Sequence, residues 1–132
     1  MQNRIAFISD NFSRYQSLLS KHSPENLILD LLTLDEAQTR SLSNIFFNLY
    51  VIDGSCIEKK VPEWISEICR QDYFFRVILI ADEMPSRELL DILSDRLYVI
   101  LTHEQAKLAL GQFIKNAWQS VLNRQYDRSV VY

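Results

Sequence analysis

Three apolar runs in this 132-residue chain stop at a carboxylate: "IAFISD" at Asp10, "NLYVID" at Asp53 and "VILIAD" at Asp82, with Glu83 directly after. Carboxylates gathered in one crevice bind a hard cation such as Mg2+ through oxygen alone. A carboxylate held by that metal is a nucleophile toward a phosphoryl donor. Each acid also has a plainer use. Asp10 and Asn11 are good helix N-caps, and Asp53 followed by Gly54 is ordinary turn chemistry. What separates the two readings is whether the fold brings the three strand ends to one edge.

Five apolar runs read as strands: Ile5 to Ser9, Asn26 to Leu32, Asn48 to Asp53, Arg76 to Ala81 and Leu97 to Leu101. Four are continuous rather than alternating, which fits parallel strands covered on both faces. Helical stripes lie between them. Phe12, Tyr15, Leu18 and Leu19 share one face, and Leu34, Ala37 and Leu42 make a weaker stripe behind a Thr33–Glu36 capping box. Val61, Trp64, Ile65 and Ile68 follow helical spacing with Pro62 in the first turn, and Leu89, Leu90 and Leu93 mark a short helix. The strongest stripe is Ala106, Leu110, Phe113, Ile114, Ala117, Trp118 and Val121, behind a second box at Thr102 and Gln105. Five strand–helix units predict an α/β domain, a flavodoxin-like (βα)5 doubly wound parallel sheet in order 2-1-3-4-5. Asp10 and Asp53 then face one crevice where the strand order reverses, with Asp82 and Glu83 beside them. Without a cation these acids crowd one another, so removing a charge at Asp53 is expected to be neutral or stabilising.

The totals narrow the classes. The chain is 48% hydrophobic with a formal charge of −3 and no basic run, which argues against a direct grip on nucleic acid or an anionic membrane. No apolar run approaches the roughly 20 residues that span a bilayer, and the N-terminus lacks the pattern of a secretory signal. Two cysteines, Cys56 and Cys69, make neither a disulfide framework nor a metal site and suit a reducing, cytoplasmic setting. With only two glycines there is no GxGxxG and no Walker A loop.

"IAFISDN", "YVIDGS", "VILIAD" and "LYVILT" resemble, in place and order, the signatures of the response-regulator receiver domain of two-component signalling. The resemblance extends to about Gln119. It implies that Asp53 is the phospho-acceptor position and that Ser9 and Asp10 stand where the family has an acidic pair, leaving a weak Mg2+ site at Asp10 and Asp53. It also places Ala81 and Asp82 where the family has a hydroxyl residue and a small one, Leu101 and Thr102 where it has a lysine and a proline, and Tyr98 at its switch aromatic. With the hydroxyl and the cation missing and Asp82 added, the phosphorylated aspartate's charge of about −2 is uncompensated. This is the pattern of a pseudo-receiver. His103 lies near the missing lysine and reads as a surface histidine after a helix cap.

The resemblance implies a regulatory rather than catalytic domain, with no cofactor beyond that weak Mg2+, acting by homodimerisation or by docking on an effector, as the N-terminal module of a transcription regulator. Its interface would be the fourth-helix, fifth-strand and fifth-helix face, with Arg87, Glu88, Asp91, Asp95, Arg96, Lys107 and Lys115. Val121 and Leu122 would continue an apolar stripe beyond the sheet. Residues 1–122 form the receiver-like domain on this reading, and 123–132 a helix extension or the start of a linker to a downstream domain. Two alternatives stay open: a competent atypical receiver phosphorylated on Asp53, and an unrelated flavodoxin-like ligand-binding domain.

Overall fold

A computed structural model describes residues 4–10, 28–43, 47–54, 61–70 and 74–130, with side chains omitted at 61–62 and 125–130. The chain runs β1 (Arg4–Ile8), β2 (Ile28–Leu32), α1 (Leu34–Leu42), β3 (Leu49–Asp53), α2 (Val61–Cys69), β4 (Arg76–Ile80), α3 (Arg87–Leu93), a 3-10 turn (Ser94–Arg96), β5 (Leu97–Leu101) and α4 (His103–Val130). All neighbouring strands are parallel, and the sheet order is β2-β1-β3-β4-β5, as the alternation of elements predicts. The helix expected at Phe12 to Leu19, and Cys56, lie outside the described residues.

Because side chains alternate across a strand, the continuous runs feed two cores. Ala6, Ile8, Tyr50, Ile52, Val77 and Leu79 face α1, α2 and α3, where Trp64, Ile65, Ile68, Leu89 and Leu93 close over them. Ile5, Phe7, Leu49, Val51, Ile78 and Ile80 face α4 through Ala106, Leu110, Ile114, Ala117 and Trp118. In the first core Tyr50 meets Phe47, Trp64 and Phe75 edge to face at 5.4–5.7 Å, the favoured geometry for such rings.

Both capping boxes form. Thr33 Oγ1 accepts from the Glu36 N–H while Glu36 Oε1 accepts from the Thr33 N–H. Thr102 and Gln105 repeat the exchange at the start of α4. Between β4 and β5 the register jumps from Val77↔Leu97 to Ile78↔Val99. This bulge leaves Tyr98 as the extra residue and puts Tyr98 and Val99 together in the α4 core, with Leu97 and Ile100 in the other. α4 is kinked at Ala109 (φ −145°, ψ 19°), yet buried residues recur at helical spacing through Val121. Cys69 is an unbridged thiol beside the Ile92 carbonyl, and burial pushes its pKa up.

Candidate functional site

The carboxyl edge of the sheet gathers four side chains from four chain segments. β1 and β3 pair Ile8 with Ile52, so the next residues, Ser9 and Asp53, fall side by side. Ser9 Oγ donates to Asp53 Oδ2 at 2.9 Å, and both residues are fully buried. Gly54 follows Asp53 without a left-handed φ, but a Cβ there would stand 3.3 Å from the Ile80 carbonyl oxygen and from Leu79 Cδ1. A side chain there would be a tight fit, because β3 leaves the sheet hard against β4.

His103 closes the other side of Asp53. Only Thr102 separates β5 from α4, so the first residue of α4 stays at the strand ends. Its Nε2 lies 3.6 Å from Asp53 Oδ1, and its Nδ1 lies 2.7 Å from Asp82 Oδ2. The His103 backbone N–H donates to Asp82 Oδ1 at 2.9 Å. Asp82 therefore caps α4, satisfying one of its free N–H groups, and holds the ring at the same time. A carboxylate only accepts, so Nδ1 carries a proton and Nε2 is turned to Asp53. The His103 side chain is 14% exposed, against 57% for Asp82. The expectation of a surface histidine is thereby corrected: the ring is largely covered, bonded to Asp82 at Nδ1 and facing Asp53 at Nε2. A protonated ring would attract Asp53, whose side chain has no exposed surface.

Asp82 also departs from expectation. It engages His103 rather than crowding Asp53, and its exposure lets solvent share its charge. Asp10, one step past Ser9 on the same edge, is exposed, as is Glu83. Among the described residues no group of three or more His, Cys, Asp or Glu converges as a metal site. Ala81 carries no hydroxyl, and its N–H donates to the Leu101 carbonyl at 2.8 Å, extending the β4–β5 ladder. Leu101 is a buried core residue and Thr102 is the α4 cap. Tyr98 is half-buried against the α4 core.

The expected interface residues divide. Arg87, Asp91, Lys107 and Lys115 are exposed. Arg96 is half-buried with its guanidinium 5.1 Å from the centre of the Phe75 ring, so it is tied down within its own domain. Val121 is fully buried while Leu122 is 37% exposed. Val121 therefore does not belong to an outward stripe. It lies on the inward face of α4 with Ile114, Ala117 and Trp118.

Fold and site together define a five-stranded flavodoxin-like domain with a buried acid at its switch point. The fold is similar to the crystal structure of a Burkholderia pseudomallei protein provisionally assigned to pilus assembly, with a TM-score of 0.63 at 18% sequence identity, covering 89% of this chain and 91% of that one. At that identity the likeness is one of fold. No protein-family model and no curated protein sequence matches the chain. Among the described residues no helix is long and apolar enough to cross a membrane.

Proposed function

We propose that this is a receiver-like regulatory domain in which Asp53 has passed from phosphoryl acceptor to structural acid, and which acts by docking on an effector or on a second copy of itself. The observation that carries this reading is the enclosure of Asp53: it has no exposed surface, Ser9 holds one oxygen, and His103 stands against the other. A phosphoryl donor must approach a carboxylate oxygen in line, with room for three more oxygens and a metal. The imidazole, 3.6 Å from Oδ1, stands in that room. Leu101 in the core and Ala81 without a hydroxyl leave no further side-chain cation or donor at those two positions. The fold neighbour's provisional assignment is to an assembly process, which agrees with a docking module more readily than with a DNA-binding one. Arg87, Asp91, Lys107, Lys115 and Leu122 remain as the exposed members of the docking face.

One observation favours the alternative of a competent receiver. A protonated His103 that swung outward would offer a phosphorylated Asp53 the cation that Leu101 does not. Beryllofluoride with Mg2+ mimics the phosphorylated state and separates the two. Sedimentation velocity and thermal melting of the chain at micromolar concentration are expected to be unchanged by it. A rise in melting temperature or a shift in oligomeric state that disappears in Asp53→Ala would promote the competent receiver.

A further inference from the structure

The amino edge of the sheet carries a second feature. Arg76 opens β4 beside Leu49, four rungs from the Asp53–Ile80 level, or about 13 Å along the strands. With Asn116, Gln119, Ser120, Asn123 and Arg124 of α4 it lines a cleft of about 430 Å3, within the range of small-molecule sites. Among the described residues no carboxylate lines it. Both guanidinium groups stack on Phe74, with Cζ 5.1 Å (Arg76) and 5.0 Å (Arg124) from the ring centre. Arg76 Nη1 donates to the Asp95 carbonyl at 2.6 Å, but its Nε is buried with no hydrogen-bond partner. Among the described residues neither arginine makes an ion pair, although Arg4 and Arg40 both reach Asp30.

The amides of α4 add donors. Gln112 Nε2 donates to Asn116 Oδ1 at 3.0 Å, and Gln119 Nε2 to Asn123 Oδ1 at 2.9 Å. This ladder occupies the asparagine oxygens and leaves both asparagine NH2 groups as donors at the cleft. Its walls therefore offer two cations, two amide donors and a hydroxyl, with few acceptors. Guanidinium forks match carboxylate and phosphate alike. A carboxylate brings one charge and two oxygens. A phosphomonoester brings nearly two charges and three oxygens, which answers the two arginines, and the polar walls suit a hydroxylated body.

We propose that the Arg76–Arg124 cleft binds a small phosphomonoester of the sugar-phosphate class. The site is separate from Asp53 and stands whether or not the domain is a receiver. Titration calorimetry of the full chain tests it with glucose 6-phosphate, inorganic phosphate, succinate and a phosphoserine peptide at fixed salt. Saturable binding of glucose 6-phosphate is expected, with inorganic phosphate weaker and succinate about tenfold weaker, a difference near 1.4 kcal/mol. Arg124→Gln should weaken glucose 6-phosphate binding by about the same factor while melting as the unmutated chain does. Arg76→Lys, which keeps the charge and loses the fork, should weaken it too, and Glu83→Gln at the other edge should not. Absence of saturable binding into the millimolar range, equal binding of succinate, a response to inorganic phosphate alone, or indifference to Arg124→Gln each overturns the proposal. Tighter binding of the phosphoserine peptide overturns the small-molecule assignment.

Discussion

The two edges of the sheet handle charge in opposite ways. At the carboxyl edge Asp53 is sealed, with Ser9 and His103 against its oxygens and Asp82 steadying the histidine from behind. At the amino edge Arg76 and Arg124 line an open cleft that no acid among the described residues enters. A sealed charge network contributes to the fold and has little capacity left for a ligand, whereas an open one still has its interactions to make. In an α/β sheet the crevice at the switch point is the usual ligand site. Here the acid at that point has no exposed surface, and the two arginines that make no ion pair among the described residues lie at the far edge.

The largest effect should come from asking what α4 covers. Val121→Glu drives a carboxylate into the core and is expected to remove about 4 kcal/mol or to unfold the chain, because an unpaired charge is buried. Leu122→Glu, one residue on, should stay within about 0.5 kcal/mol. Urea melts of both variants decide whether this end of α4 is core or surface. Equal tolerance would erase the inward face.

Next is the seal itself. Crowded acids would make Asp53→Asn neutral or stabilising, but a carboxylate held by a hydroxyl and an imidazole reverses the sign. Asp53→Ala should cost about 3 kcal/mol, since it strands partners of a buried charge, with Asp53→Asn destabilising by less. Chemical denaturation reads both, and a gain in stability would restore the crowding view. Ser9→Ala should cost about 1 kcal/mol, the usual value of one buried hydrogen bond. In a Ser9→Ala, Asp53→Ala double-mutant cycle the double variant should lose less than the sum of the two single losses. Additive losses would mean that the 2.9 Å contact carries no energy.

Much of the fold was legible because its signals are local. The continuous strand runs, the Thr33–Glu36 and Thr102–Gln105 boxes and the strand order all follow from patterns a few residues long. Asp53 at a strand end was legible too. Its partners were not, because they come from segments 44 residues upstream, for Ser9, and 50 downstream, for His103, and meet only once the sheet is assembled. Ser9 looked like a lost acid, although a hydroxyl is what an unmetallated Asp53 can use. His103 looked like surface because it follows a cap. The overlooked signal was its place two residues after a strand end, on the same sheet edge where two other strands end in acids. Val121 failed for a different reason: helical spacing shows which residues share a face but not how far along the helix that face stays covered.

The central claim is that Asp53 has been withdrawn from phosphoryl chemistry by its own neighbours. Intact-mass spectrometry after incubation with acetyl phosphate and millimolar Mg2+ tests it most directly, on the unmutated chain and on Asp53→Ala. No phosphorylated species is predicted for either. A phosphoryl adduct on the unmutated chain that is absent from Asp53→Ala would contradict the account and make the domain a working receiver.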